Sequence, residues 1–234
     1  MKIGLTYTGT EEKHQNYIRW LKGSGDEIEI VTLSSTIDNL SDLNNCNALV
    51  LAGGRDIHPG VYNNTNLDYP NSPQDFDLKR DQFEIDAFKL AQKHKVPVLA
   101  ICRGLQLVNC IFEGTLCQDL GDPLNKIHRA EETDKTHDVI VNDGTLLREI
   151  VQISHMVANS AHHQSIEKLG KELKINSTSD HGTIEGIEWA NKIGKSFFLG
   201  IQWHPERMFK FNLQETAASR LIRERFIQEI QKTL

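Results

Sequence analysis

A chain of 234 residues with 38% apolar and 25% charged side chains can bury one large core, which sets the expectation of a single domain over residues 1–234. Its net charge of -6, with 26 Lys and Arg dispersed along the chain, argues against nucleic acid as a partner. No run of about 18 apolar residues occurs and the opening apolar segment is too short for a signal peptide, so the sequence predicts a cytoplasmic protein with no membrane partner.

In chain order, apolar periodicity predicts a strand over 2–7, a helix over 12–21, and strands over 27–33 and 48–52. A helix over 78–94 then sets Phe83, Ala87 and Leu90 on one face and runs into a buried strand over 96–101. This alternation implies an α/β fold, a doubly wound, mostly parallel sheet flanked by helices. The second half is less regular. Strands are expected over 138–141, 156–158, 172–177, 184–189 and 197–203, several close enough in sequence to pair antiparallel. A closing helix over 213–230 turns Leu213, Ala217, Leu221 and Phe226 toward the sheet, and the polar segments 63–77 and 121–137 read as loops at the mouth of a site.

The four cysteines show neither CxxC metal spacing nor a disulfide framework, which points to a reducing compartment and to thiols free for chemistry. Cys46, Cys110 and Cys117 read as small buried groups. Cys102 differs: in Leu99-Ala100-Ile101-Cys102-Arg103-Gly104 an apolar strand ends at the cysteine, and Gly104 permits a tight turn into the next helix. That is a nucleophile elbow, where the positive end of a helix dipole favours the thiolate. Farther on, Gln202-Trp203-His204-Pro205-Glu206 delivers a histidine into a turn. Pro205 fixes the backbone so that the Glu206 carboxylate can fold back on the imidazole, which supplies a base and its orienter. In Ala52-Gly53-Gly54-Arg55-Asp56 adjacent glycines again end a strand. The Gly54 N–H, with that of Arg103, can form an oxyanion hole worth about 10² to 10³ in rate per donor.

Six ordered blocks span nearly the whole chain: Gly53-Gly54-Arg55-Asp56-Ile57-His58-Pro59 with Tyr62; Arg80-Asp81 with Glu84; Cys102-Arg103-Gly104-Leu105-Gln106; Gly114-Thr115-Leu116 with Gln118-Asp119; Asn159-Ser160-Ala161-His162-His163-Gln164; and Gln202-Trp203-His204-Pro205-Glu206. Together they resemble the class I glutamine amidotransferase superfamily, and within it the γ-glutamyl-γ-aminobutyrate hydrolase branch. The resemblance implies a flavodoxin-like amidotransferase fold and a Cys102–His204–Glu206 triad. It also implies that Gln106 and the Asn159-Ser160 backbone region hold a glutamyl head group. The motif Asn-Ser-x-His-His-Gln suggests the hydrolase branch rather than the ammonia-feeding glutaminases and sets His162 and His163 beside the substrate. Adjacent strand residues point to opposite faces, so one of the two is expected to be scaffold. No cofactor is expected, and no metal, since no carboxylate or cysteine shares a ligand spacing with the paired histidines. Such proteins often form homodimers, although no motif here specifies an interface.

The chain departs from the branch at Glu113, where a second glycine is usual, at Cys117, where Tyr or Phe is usual, and at His181, where Asp is usual, leaving Asp180, Gly182 and Glu185. These changes bear on the amine side of the pocket. Arg55 and Arg103 there suggest an anionic leaving group; the other reading of Arg55 is an ion pair with Asp56 or another acid. The expected activity is cleavage of a small-molecule γ-glutamyl amide through a γ-glutamyl thioester, releasing glutamate and an amine. The amine is either γ-aminobutyrate-like or phosphate- or nucleotide-bearing. Two other readings stand beside it: a glutaminase subunit feeding ammonia to a separate synthetase, and a non-enzymatic glutamyl-ligand-binding protein.

Overall fold

The chain opens with β1 (Lys2–Thr6), α1 (Glu11–Lys22), β2 (Glu29–Leu33) and β3 (Ala48–Leu51), followed by α2 (Leu78–His94), β4 (Val98–Ile101) and α3 (Arg103–Ile111). This is a computed structural model, and it describes residues 1–23, 27–129 and 133–234. Local chemistry sets the helix ends. The Thr10 side chain accepts from the Lys13 N–H at the start of α1, and Asp77 does the same for Arg80 at the start of α2, each satisfying an N–H that the helix cannot.

The remaining elements are β5 (Thr115–Cys117), α4 (Leu124–His128), β6 (Lys135–Val141), α5 (Leu146–Val151), β7 (His155–Ser160), β8 (Ser165–Lys168), β9 (Leu173–Ser179), β10 (Ile184–Trp189), β11 (Phe198–Ile201) and α6 (Ile222–Gln231). One sheet runs in the order β2-β1-β3-β4-β11-β10-β9-β6-β7, and β5 and β8 form a small second sheet. From β2 to β11 every pairing is parallel, and from β11 to β7 every pairing is antiparallel. Only β10 and β6 therefore run against the common direction. The expected α/β fold with a mostly parallel sheet flanked by helices is what the chain adopts.

The inner strands of the parallel half, β3, β4 and β11, are covered on both faces and carry no polar side chain at any position. In β4, Leu99 and Ile101 pack into one core with α1, α5 and α6, while Val98 and Ala100 pack into the other with α2 and α3. Phe83 and Ala87 of α2 lie in that second core, with Leu90 at its edge.

Two expectations need correction. Residues 121–137 are not one loop: α4 lies within them and β6 begins at Lys135, while 130–132 fall outside the described residues. Residues 213–230 are not one α-helix. A wide π-type turn (Ala217–Leu221) precedes α6, so Ala218 and Ile222 become the buried positions while Leu213, Ala217 and Leu221 sit at the core's edge. The small sheet and the short α5 escaped notice because each is too brief to show a period. Among the described residues all four thiols are free, and no helix is long and apolar enough to cross a membrane.

Candidate active site

The centre of the parallel half carries Cys102 at the carboxyl end of β4, its N–H bonded to the Ile201 carbonyl of β11 at 2.8 Å. Its backbone sits at φ 52, ψ -106, a conformation that L-residues avoid and that the surrounding packing must hold in place. α3 starts at the next residue, so its first-turn N–H groups, that of Arg103 included, have no acceptor inside the helix. Gly104 is needed for a second reason. A side chain there would run into the Leu51 carbonyl oxygen, because α3 packs directly on β3.

β11 delivers the partner. The His204 Nδ1 lies 2.8 Å from Glu206 Oε1, the His204 backbone N–H donates to Asn159 Oδ1 at 3.1 Å, and the neighbouring Trp203 indole donates to the Ala218 carbonyl at 2.9 Å. Imidazole and thiol meet over Gly53. A methyl group at Gly53 would lie 2.8 Å from His204 Cε1, 3.1 Å from the Tyr17 hydroxyl and 3.5 Å from Cys102 Cβ. Burial and Arg207 both oppose a charged His204, but Glu206 and Cys102 outweigh them and raise its pKa to about 9. Burial pushes Glu206 up, yet His204 and Arg207 hold it below the usual carboxylate range. Such a pair can carry a proton to and from a sulfur nucleophile.

A cleft with two lobes meets at Cys102. The larger, about 550 Å³, is bordered by Thr8, Thr10, Lys13, Ser34–Thr36, Arg55, Arg80 and Arg207; the smaller, about 250 Å³, by Gln106, Arg129 and Ala161–Gln164. Gly54 and Arg55 border both. Gln106 is buried beneath the smaller lobe, its amide donating to Gln202 Oε1 and to the Gln164 carbonyl, and Gln202 reaches Cys102 Sγ at 3.4 Å.

Several expected site residues take other roles. The Arg103 guanidinium is buried and gripped by Asp81 and Glu84, so its side chain is not free to meet an anionic leaving group. Arg55 is exposed at the cleft mouth and donates to the Asp75 carbonyl, not to Asp56, which instead meets Tyr69 and His163. Asn159 and Ser160 do not line the cleft. Asn159 braces the His204 backbone and Asp134, Ser160 meets His128, and the wall itself is Ala161. His162 and His163 lie in the link between β7 and β8, not in a strand, yet they point apart as expected. His163 sets one ring nitrogen against Asp119 and the other against Asp56, while His162 turns inward toward Glu185.

The Peptidase C26 family pattern matches residues 9–206. The chain belongs to the Peptidase C26 family. This C26 protein is 36% identical over 182 residues to protein NtpR of Enterococcus hirae, covering 75% of this chain and 70% of that one. It is 30% identical over 184 residues to the γ-glutamyl-γ-aminobutyrate hydrolase PuuD of Escherichia coli, covering 75% and 68%. The glutaminase domain of Trypanosoma brucei CTPS, solved with bound acivicin, superposes with a TM-score of 0.66 at 14% identity over 99% of this chain and 94% of that one, a likeness of fold. Family and relatives together mark the C26 chain as a hydrolase of the class I glutamine amidotransferase-like group.

Four contributors to the C26 site were not singled out in the sequence: Tyr17, whose hydroxyl accepts from the Gly53 N–H at 2.9 Å; Gln202; Arg129; and Arg207, 3.2 Å from Asp134. Only Gln202 lay within a recognised motif. A further group gathers behind the wall at Ala161. His128, His137, His162 and Glu185 are buried, with potential ligand atoms within 4.8 Å of one another. The carboxylate that spacing failed to reveal beside His162 comes from β10. Burial pushes His128 and His162 down to about 3 and Glu185 up to about 7.

Proposed function

We propose that this protein is a cysteine hydrolase that cleaves a γ-glutamyl amide through a γ-glutamyl thioester, with an amine portion that carries a phosphate or comparable anion. The observation that carries the reading is Cys102 at a strained elbow where two lobes of unequal size meet, with His204 and Glu206 beside it. The smaller lobe suits the glutamyl head group, with Arg129 for its α-carboxylate. The larger suits the amine portion.

Charge in the larger lobe favours an anion. Its acids are engaged: Asp77 caps α2, Asp81 and Glu84 hold Arg103, Glu206 holds His204, and Asp56 meets Tyr69 and His163. Lys13 and Arg55 line it with no carboxylate within ion-pair distance among the described residues. A space of about 550 Å³ exceeds what departing ammonia needs, which favours a conjugate over glutamine as substrate.

In the reaction, Cys102 Sγ attacks the γ-carbonyl carbon, and the oxygen takes the negative charge opposite the Gly54 and Arg103 N–H groups. Protonated His204 gives its proton to the nitrogen as the C–N bond breaks, so the amine leaves and the thioester remains. Water loses a proton to the same imidazole and attacks the thioester, freeing glutamate and the thiol. Glu206 holds the imidazole's tautomer and stabilises its charged form.

The test is glutamate release from a panel of γ-glutamyl amides with cationic, neutral and phosphate-bearing amines, with glutamine alongside. Highest kcat/KM on the phosphate-bearing members is expected. Preference for cationic amines would sink the leaving-group assignment, and failure of a thiol-directed glutamine analogue to label Cys102 would sink the nucleophile.

A further inference from the structure

Behind the cleft wall, four segments far apart in sequence converge: the end of α4 brings His128, β6 brings His137, the residue pair after β7 brings His162, and β10 brings Glu185. Glu185 is the extra residue of a bulge. Ile184 pairs with Thr178 and Gly186 with Ser177, so Glu185 has no partner on β9 and its side chain is re-aimed. Its two oxygens then face imidazole nitrogens at 3.5 Å (His162 Nε2), 3.7 Å (His128 Nδ1) and 3.7 Å (His137 Nε2).

Tautomers decide what these contacts mean. His162 Nδ1 lies 2.9 Å from the Gln164 carbonyl and His137 Nδ1 lies 2.9 Å from the Asp138 carbonyl, so each of those nitrogens carries the proton. Each Nε2 is then a lone pair aimed at a carboxylate oxygen. Two acceptors facing each other in a buried site repel. Both Glu185 oxygens and the Nε2 atoms of His128, His137 and His162 are buried without a hydrogen-bond partner. A single proton on Glu185 can answer one of these acceptors; one cation at their centre can take the carboxylate and one nitrogen of each imidazole. A backbone carbonyl on the outer nitrogen is also how metal-bound imidazoles are usually oriented.

We propose that His128, His137, His162 and Glu185 bind one divalent first-row transition-metal ion, zinc foremost, as a closed structural site bracing the wall of the substrate cleft. Zinc bonds of about 2.0–2.1 Å place tetrahedral ligand atoms about 3.3 Å apart, so the observed separations close with a modest inward movement. Three imidazoles and a carboxylate suit zinc rather than calcium or magnesium, and four protein ligands leave no open position for chemistry. Two links tie the site to the cleft. His162 is joined to the wall residue Ala161, and the Glu185 carbonyl accepts from the N–H of Gln202, whose side chain reaches Cys102. The inference stands whether or not the substrate assignment is right.

The test uses full-length protein made in zinc-supplemented medium, with no histidine tag, and elemental analysis after gel filtration. About one equivalent of metal is expected in the wild type and in Cys102→Ala, and less than about a tenth of that in Glu185→Gln and His137→Asn. Removal of the metal should lower Tm and its return should restore it. Wild-type protein with no stoichiometric metal and no zinc-dependent Tm, or full metal retention in both ligand variants, overturns the proposal. Should the variants fail to fold, cobalt-loaded wild type decides. Visible ligand-field bands without a thiolate charge-transfer band support the site, and a thiolate band moves the metal to Cys102 and overturns it.

Discussion

The two halves of the sheet place their polar residues by opposite logic. In β3, β4 and β11, the inner strands of the parallel half, no residue is polar, and the chemistry stands where these strands stop: Gly53 and Gly54 after β3, Cys102 after β4, His204 after β11. In the antiparallel half polar groups lie inside the strands themselves, with Asn159, Asn176, Glu185 and Glu188 all fully buried. The first arrangement presents chemistry to a cleft. The second builds the cleft's foundation, and Asn159 joins the two by bonding both Asp134 and the His204 backbone.

If strand ends hold the chemistry, Cys102→Ala should lower kcat/KM by about 10⁴ or more while the circular dichroism spectrum is unchanged. Substantial residual turnover would mean that the nucleophile lies elsewhere. Gly53→Ala should cost about 10²-fold in kcat/KM, because a methyl group pressed against His204 Cε1 displaces the base from the thiol. Near-normal turnover there would show that the imidazole has room to retreat. Arg103→Leu tests the exception, a buried charge within the parallel half. Losing the partner of Asp81 and Glu84 should remove about 3–5 kcal/mol in urea denaturation, and a loss under about 1 kcal/mol would mean that Arg80 compensates.

The His204–Glu206 pair predicts a pH signature of smaller size. His204 has a folded pKa near 9 against an ordinary 6.5, so its contribution to stability is complete below 6.5 and fades as pH rises through 9. Glu206 is lowered from 4.5, so its share is present above 4.5 and is lost as pH falls through its folded value. The Tm gap between wild type and Glu206→Gln should therefore be widest between pH 4.5 and 6.5 and should narrow toward pH 9. A gap that widens toward alkaline pH contradicts the pair. The smallest effect belongs to Arg55, exposed at the cleft mouth. Arg55→Ala should raise KM about 5-fold for phosphate-bearing conjugates and leave neutral ones unchanged, while an equal effect on both would make it a structural residue.

The same contrast governs what could be read from the sequence. β4 and the elbow after it were visible because a continuous apolar run stops at Cys102-Arg103-Gly104, and His204-Pro205-Glu206 is held together by its own backbone. The Glu185 cluster was not visible. Its members stand 9, 25 and 23 residues apart along the chain, and only a bulge and three antiparallel pairings bring them together. Arg103 misled for a related reason. Its position beside the nucleophile is fixed locally, but the direction of its side chain is set by two acids on α2. Asn159 and Ser160 were expected at the glutamyl head group, yet tertiary bonding to His204, Asp134 and His128 turns both side chains into supports.

The bond from the Trp203 indole to the Ala218 carbonyl has a practical consequence. Ala218 belongs to the wide turn before α6, and Ser219 in that turn also bonds the Pro205 carbonyl, so the segment flanking the base is tied twice to the last stretch of the chain. Insertions or fusions near residues 217–221 would thus reach the imidazole as directly as changes in the cleft, and a label for purification or imaging belongs away from that turn.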